Sequence, residues 1–478
     1  MDPALRGCEG AQTRADRRAF AGAPSSGRGA PLRRRYFGTD GLRGRAGQFP
    51  LDPPSVRALG RAAGLILGGS GATALVGMDP RESSGWISAQ LLAGLRESGV
   101  ECRFAGVIPT PGLARLAAAG GYTFGAMVSA SHNPFEDNGI KFFSGSGFKL
   151  PDETEHHIEV ALEGLREGSG PAPEADSPGP PEMGMERAYV EWLQSLWRGR
   201  SLGGCRLVLD GANGAAHRVA PALFRALGAE VVCHACEPDG RNINAGCGSL
   251  HAQDFAAKVR EAGADMGFAF DGDADRCMAV TPSGKVLDGD FILYHEALAR
   301  LPEDRLPGGW VVGTVMSNLW LEQALKREGL RFFRAPVGDR YVLQCLQDRG
   351  GLLGSEPSGH ILFLDLATTG DGLLTALNYA MLARDAGGME ALAEGIRPYP
   401  QVMVNLRVER RLPLEEQPAI CAALDEEKAR LSDRGRIILR YSGTEPLLRL
   451  MVEADTLSRV KGVVERLRAV LVRTLGEA

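Results

Sequence analysis

What this chain lacks narrows its class before any motif is read. No uncharged apolar run reaches the roughly 18 to 20 residues that a membrane-spanning helix needs, so no membrane partner is expected. Cysteines are few and scattered, nine in 478 residues, an odd number without regular spacing. That argues against a disulfide scaffold and fits a reducing compartment, the cytoplasm. Cys233-His-Ala-Cys236 has the spacing of half a zinc site, but no second pair follows it, and the expectation is a buried, unliganded pair at the end of a strand. An excess of positive charge is missing as well. At a net charge of -5 there is no general reason for a nucleic-acid partner, and an anionic small molecule would need locally placed Arg and Lys.

What is present is the composition of an ordinary globular protein, 44% hydrophobic and 24% charged, in a chain long enough for three or four domains. Residues 1–35 stand apart: rich in Arg, Ala, Gly and Ser, poor in acids and without apolar periodicity. They read as a disordered leader, with an organelle transit peptide as the alternative, although Pro24 and Pro31 interrupt any amphipathic helix. Gly168 to Glu182 is a Pro/Gly-rich exposed excursion.

Between these lie strands alternating with helices. Strands are expected at 74–77, 102–107, 124–128, 206–209, 230–233, into Asp271, 310–313, 331–335 and 351–354, with helices at 52–65, up to Ser98, 185–197, up to Leu227, 253–262, 319–328 and from Gly338. Helical crossovers between strands imply mostly parallel sheets in three similar α/β units, whose chemistry gathers in loops beyond the strand C-termini. From about Arg397 the pattern changes to strand, helix, strand, strand, helix, a smaller α+β domain.

Five stretches carry candidate chemistry. Val128 to Phe143 packs Ser129, Ser131, His132, Asn133, Asp137, Asn138 and Lys141 into an expected loop punctuated by Pro134 and Gly139. Asp271, Asp273 and Asp275 alternate, so their carboxylates can converge on one hard cation. Without one they would repel strongly. A calcium loop is the rival, but the twelve-residue pattern with a terminal Glu is absent. Tyr36 to Gly44 is a Gly-rich turn that brackets Thr39 and Arg43, suited to an anion. Glu356, Ser358 and His360 combine donors and acceptors suited to sugar hydroxyls. Arg440-Tyr-Ser-Gly-Thr-Glu-Pro-Leu-Leu-Arg449 reads as an anion cradle, or as a hairpin turn with two solvated arginines.

In that order, Tyr-Phe-Gly-Thr-Asp-Gly-Leu-Arg-Gly, Ser-Ala-Ser-His-Asn-Pro, Asp-Gly-Asp-Ala-Asp-Arg, Glu-Pro-Ser-Gly-His and Arg-Tyr-Ser-Gly-Thr-Glu-Pro make the chain resemble the phosphohexomutase superfamily from Tyr36 to its end. Asn242-Ile-Asn244, Cys247-Gly-Ser249 with His251, Val337 to Val342 and Thr368 to Gly372 are similar to its branch acting on glucosamine phosphates. Pro357 and Tyr441 depart from that branch, where Gln and Lys are usual.

The resemblance implies a four-domain α/β architecture, three mixed α/β domains plus a smaller C-terminal α+β domain around a central cleft. The divisions are leader 1–35, domain 1 at 36–184 with the phosphoserine loop, domain 2 at 185–299 with the metal loop, domain 3 at 300–396 with the sugar loop, and domain 4 at 397–478 with the phosphate loop. It further implies that Ser131 is the phosphorylated nucleophile and that Ser131, Asp271, Asp273 and Asp275 hold magnesium. Arg43, His132 and Arg276 would hold or balance the phosphate, and Lys141 would transfer a proton. Glu356, Ser358 and His360 would read the sugar, while Arg440, Ser442, Gly443, Thr444 and Arg449 would grip the phosphate that is not reacting. The implied activity is interconversion of glucosamine 6-phosphate and 1-phosphate, with a hexosamine 1,6-bisphosphate as intermediate and activator, in a monomer or homodimer. A glucose or mannose phosphate mutase, a phosphomonoesterase and a catalytically silent sugar-phosphate-binding protein are the alternatives.

Overall fold

The computed structural model describes residues 35–68, 71–166, 177–441 and 447–476, which form four sheets. The first has the strand order Phe37–Gly38, Gly41–Arg45, Asp137–Ser144, Phe124–Val128, Thr73–Met78, Glu101–Val107. Its last three strands run parallel and the rest are antiparallel. Helices cover both faces. Leu59, Leu91, Ile158 and their neighbours close one face over Ala74 and Val76. Leu113 and Ala117 of the helix Thr110–Ala119 close the other over Leu75 and Met127. Burial on both faces explains why these strands are continuous apolar runs rather than alternating ones.

The second sheet holds five strands, Val286–Leu287, Cys277–Val280, Met266–Phe270, Arg206–Asp210 and Glu230–His234, and the third holds four, Arg331–Ala335, Trp310–Thr314, Leu353–Ser355 and Ile361–Phe363. Their helices share one continuous core, from Tyr189 through Phe268 and Leu321 to Tyr379. The C-terminal sheet is three antiparallel strands, Gln401–Arg407, Leu447–Ala454 and Gly435–Tyr441, over a core of its own. No helix is long and apolar enough to cross a membrane among the described residues.

Three sequence expectations change. Residues 137–144 are a strand rather than loop, so Lys141 sits on rigid backbone in the middle of the first sheet. Gly139 looks like a turn signal but serves close packing, since a Cβ there would lie 2.7 Å from the Ser129 carbonyl oxygen and 2.9 Å from that of Leu42. Residues 37–45 are likewise a two-stranded hairpin, with Gly41 at a φ of 81°. Cys233 is exposed, not buried, because its strand lies at the sheet edge. Five helices, Thr110–Ala119, Asp152–Arg166, Gly289–Arg300, the short Met389–Ala393 and Gly372–Asp385, add to the expected set. The last is buried almost all round and so has no polar face to give it a period.

Polar contacts between the sheets set the cleft. Thr110 N–H donates to the Asp273 carbonyl at 3.0 Å, Arg340 Nη2 reaches Glu155 at 2.9 Å, and Thr368 Oγ1 donates to the Gly147 carbonyl at 2.6 Å. Arg436 ties the C-terminal sheet to the Val315 carbonyl at 2.8 Å and to Glu453, whose other oxygen accepts the Leu319 N–H at 2.8 Å.

The start of the first domain is held by one side chain. Glu159, 3% exposed, accepts the successive N–H groups of Arg35, Tyr36 and Phe37 at 2.7 to 3.2 Å. Glu159→Ala should lower unfolding free energy by about 1–3 kcal/mol, the cost of orphaning buried donors of a charge-assisted cluster. A urea titration checks it, and a change within a few tenths of a kcal/mol would show the clasp to be idle.

Candidate active site

The loop that carries Ser131 leaves the C-terminal end of the central strand Phe124–Val128. Ser131 has a φ of 54°, a left-handed conformation that a residue with a Cβ adopts only when held there. Two side chains hold it. Arg81 Nη2 donates to the Ser131 carbonyl at 2.8 Å and to that of Asn133 at 2.9 Å, and Nη1 donates to that of Asp137 at 3.1 Å. Asn244 Nδ2 donates to the Ser131 carbonyl at 2.9 Å. Asp79 anchors the arrangement from below, taking Arg81 Nε at 2.8 Å and the hydroxyls of Ser84 and Ser129 at 2.7 Å each. Both members of the Asp79–Arg81 pair have fully buried side chains. The result is that Ser131 Oγ donates to Asp271 Oδ2 at 2.6 Å.

Asp271 opens the metal loop, delivered by the strand Met266–Phe270. Ala274 sits at a φ of 58°, and the tight turn brings one ligand oxygen each from Asp271, Asp273 and Asp275 within 4.8 Å of one another. Gly272 permits contact between the two loops, since a Cβ there would lie 2.4 Å from the Ser131 carbonyl oxygen. All three aspartates are buried. Burial, then the charges of Asp275 and Asp273, push the Asp271 carboxyl well above the usual carboxylate range. Asp273 Oδ1 has no hydrogen-bond partner among the described residues. A buried, mutually repelling set with an orphaned oxygen and a serine hydroxyl beside it fits a hard divalent cation.

Positive groups surround this set. Lys141 Nζ lies 2.8 Å from Asp273 Oδ2 and 2.8 Å from Asp40 Oδ2. Against burial, Asp273 and Asp40 raise its pKa, so it stands as an ammonium. Asp40 also pairs with Arg43 and Lys149, and Lys149 continues to Asp339. Arg276 closes over the loop, its N–H donating to Asp271 Oδ1 at 3.1 Å and its Nε 3.8 Å from Asp275. His132 Nδ1 is 3.3 Å from Ser131 Oγ. Burial, then Arg276 and Arg43, lower its pKa to about 4, so the imidazole is neutral near pH 7.

His360 is brought to the metal loop, with Nδ1 3.5 Å from Asp275 Oδ1 and Nε2 3.6 Å from Asp339. Against burial, Asp275 and then Asp339 raise it to about 9, an imidazolium. Glu356 Oε1 accepts the Gly338 N–H at 2.9 Å, and Ser358 lies half-buried on the same turn. Ser442, Gly443 and Thr444 lie outside the described residues. Arg440 and Arg449 stand directly opposite each other on adjacent antiparallel strands. Tyr441 turns back into its own domain, its hydroxyl donating to the Leu412 carbonyl at 2.8 Å.

Sequence reading gave no role to Asp40, Arg81, Thr110, Lys149, Asn244 and Asp339. The available signal for Arg81 was positional: a charged loop directly after a parallel strand, next to the strand that carries Ser131.

The chain matches family models described as phosphoglucomutase/phosphomannomutase, alpha/beta/alpha domain I at residues 34–168, domain II at 187–284, domain III at 288–399, and the C-terminal domain at 403–470. The chain belongs to this family. Among its relatives are the phosphoglucosamine mutases of Solibacter usitatus, 45% identical and covering 92% of this chain and 99% of that one, and of Thermus thermophilus, 46% identical at 91% and 98%. A solved phosphoglucomutase/phosphomannomutase family protein from Burkholderia thailandensis aligns with a TM-score of 0.76 at 25% identity, covering 92% of this chain and 98% of that one. The N-acetylphosphoglucosamine mutase of Aspergillus fumigatus, solved with GlcNAc-6P and magnesium, shares the fold at a TM-score of 0.59 and 18% identity, with 92% and 96% covered.

Because Arg81 holds the carbonyls of Ser131 and Asn133, Arg81→Met should reduce kcat by about a hundredfold, the scale of loss from a small misplacement of a reacting group. The check is kcat and KM together with a circular-dichroism melt. A folded variant with unchanged kcat would show that the guanidinium does not set the loop.

Proposed function

We propose that this member of the phosphohexomutase family interconverts glucosamine 6-phosphate and glucosamine 1-phosphate through a phosphorylated Ser131. The observation that carries the reading is the Ser131 hydroxyl 2.6 Å from Asp271, in a turn where three buried aspartates converge. The identity of 42 to 46% to phosphoglucosamine mutases over most of the chain favours glucosamine over glucose or mannose as the sugar.

Ser131, Asp271, Asp273 and Asp275 would hold magnesium, which neutralises charge on the phosphoryl oxygens when bound. The phosphoserine gives its phosphoryl group to the free O1, the bisphosphorylated sugar turns over in the cleft, and the original O6 phosphate returns to Ser131. Arg43 and Arg276 balance the phosphate, and neutral His132 serves as a hydrogen-bond partner at the serine oxygen. Lys141 acts as an ammonium while Asp273 and Asp40 hold it. Its place between those carboxylates makes Lys141 the group that would exchange a proton with the sugar hydroxyl. Glu356, Ser358 and His360 face the sugar, and Arg440 and Arg449 with Ser442, Gly443 and Thr444 grip the distal phosphate. A hexosamine 1,6-bisphosphate restores enzyme that has lost its phosphate. The scattered cysteines support a reducing, cytoplasmic setting for this activity.

Peptide mass spectrometry should map a phosphate to Ser131. Ser131→Ala should lose turnover by orders of magnitude and keep its melting curve, and near-normal activity in that variant would sink the mechanism. Removing divalent metal with EDTA should abolish turnover, with magnesium restoring it; turnover indifferent to EDTA would remove the cation from the site. Across the three sugar phosphates, kcat/KM should be highest for glucosamine 6-phosphate, and a preference for glucose or mannose phosphates would keep the chemistry and change the substrate.

A further inference from the structure

The Cys233-His-Ala-Cys236 segment has no part in the catalytic reading. The strand Glu230–His234 is an edge strand of the second sheet, and Ala235, at a φ of 46°, turns the chain after it. The turn at Ala235 sets the two thiols on neighbouring ground, with Cys236 Sγ 4.0 Å from the carbonyl oxygen of Leu209, the residue paired with Cys233 on the adjacent strand. They are unequal. Cys233 is exposed, with Arg225 Nη2 3.4 Å from its sulfur, a cation beside an accessible thiol and the surrounding in which cysteines react. Cys236 is half-buried and donates to the His234 carbonyl at 3.3 Å. Burial, then Cys233, push its thiol up to about 12. Both sulfurs line a surface cavity of about 360 Å³, room for a small neutral oxidant. Among the described residues no third side chain joins the pair as a metal ligand.

This segment is wired to the nucleophile. The Ala235 carbonyl accepts the Asn213 N–H at 2.6 Å, and the Glu237 N–H donates to Asn213 Oδ1 at 3.1 Å. Cys236 packs on Gly211, where a Cβ would lie 2.9 Å from its sulfur. From that turn, the Ala215 N–H donates to the Gly272 carbonyl at 2.8 Å, inside the metal loop. The Ala212 carbonyl accepts the Asn244 N–H at 2.9 Å, and the Asn244 side chain holds the Ser131 carbonyl. Both routes are short, backbone hydrogen bonds joined by the side chains of Asn213 and Asn244.

We propose that Cys233 and Cys236 form a peroxide-sensitive dithiol whose disulfide state changes the setting of the Ser131 loop. Cys233 sulfur attacks one peroxide oxygen, the O–O bond breaks, and water leaves behind a sulfenic acid. Cys236 sulfur then attacks the Cys233 sulfur, the S–O bond breaks, and the hydroxide leaves as a second water with the thiol proton. Two thiols lose two electrons and one peroxide gains them. Closing the bridge pulls residues 235–237 toward the strand and with them the Asn213 turn. The effect on turnover rests on the mutase reading; formation of the bridge does not.

The test titrates the full-length, phosphorylated, magnesium-loaded protein with hydrogen peroxide. Differential alkylation with mass spectrometry reads each cysteine, amide hydrogen exchange reads residues 129–133, and activity is followed in parallel. The expected result is a Cys233–Cys236 disulfide formed before any other cysteine reacts, altered exchange in the Ser131 loop, and a fall in kcat of roughly three- to tenfold, the range of coupling between linked sites, reversed by dithiothreitol. Cys233→Ser should keep the activity of the reduced protein and lose the sensitivity. Oxidation of Cys233 that stops at sulfenic acid, a disulfide that leaves exchange unchanged, or a Cys233→Ser variant still inhibited by peroxide would each overturn the proposal. A protein inert when reduced would count against the mutase reading alone, with the bridge and the exchange still deciding this one.

Discussion

The structure is organised around the cost of placing three carboxylates in one dry spot. Asp271, Asp273 and Asp275 are all buried, and like charges this close raise each other's free energy steeply. Everything adjacent answers that cost. Lys141 comes from the middle of the first sheet, Arg276 from the metal loop itself and His360 from the third domain. Lys149, through Asp40 and Asp339, extends the balance one layer further. These groups come from three domains, so the charge balance is made only where those three domains meet.

A second constraint is rigidity. Phosphoryl transfer depends on in-line placement more than on covalent help, so the serine must be aimed before the sugar arrives. The strained backbone at Ser131 is kept by Arg81 and Asn244, which come from different domains. The nucleophile is thus positioned by the joint between domains 1 and 2, and the Gly272 contact allows the joint to close that tightly.

Much of this was legible in the sequence where a residue type and a spacing had one physical use. The alternating aspartates pointed to a cation site over a calcium loop or a plain acidic turn, and strands buried on both faces declared themselves as apolar runs bounded by glycines. The helix at Pro53–Leu67 carried its own start signal, Asp52, whose side chain accepts the Ser55 N–H at 3.1 Å. What could not be read was set by partners distant in sequence. Gly139 signals a turn until Ser129 and Leu42 are seen packed on it. Arg81 and Asp40 look like solvated charges until the sheet order buries them against Ser131 and Lys141. The helix Gly372–Asp385 hides because a helix surrounded by core has no face to distinguish.

The way the C-terminal domain is attached has a consequence of its own. It owns a separate hydrophobic core and meets the third sheet through Arg436, Glu453 and backbone groups at 315–319, a joint of charged hydrogen bonds rather than packed apolar surface. Glu453 is itself buried, so the joint holds as long as that carboxylate keeps its Arg436 and Leu319 partners. The domain that carries Arg440 and Arg449 is therefore a unit folded on its own core, whose placement over the third sheet is set by a few charged hydrogen bonds rather than by the packing that folds it.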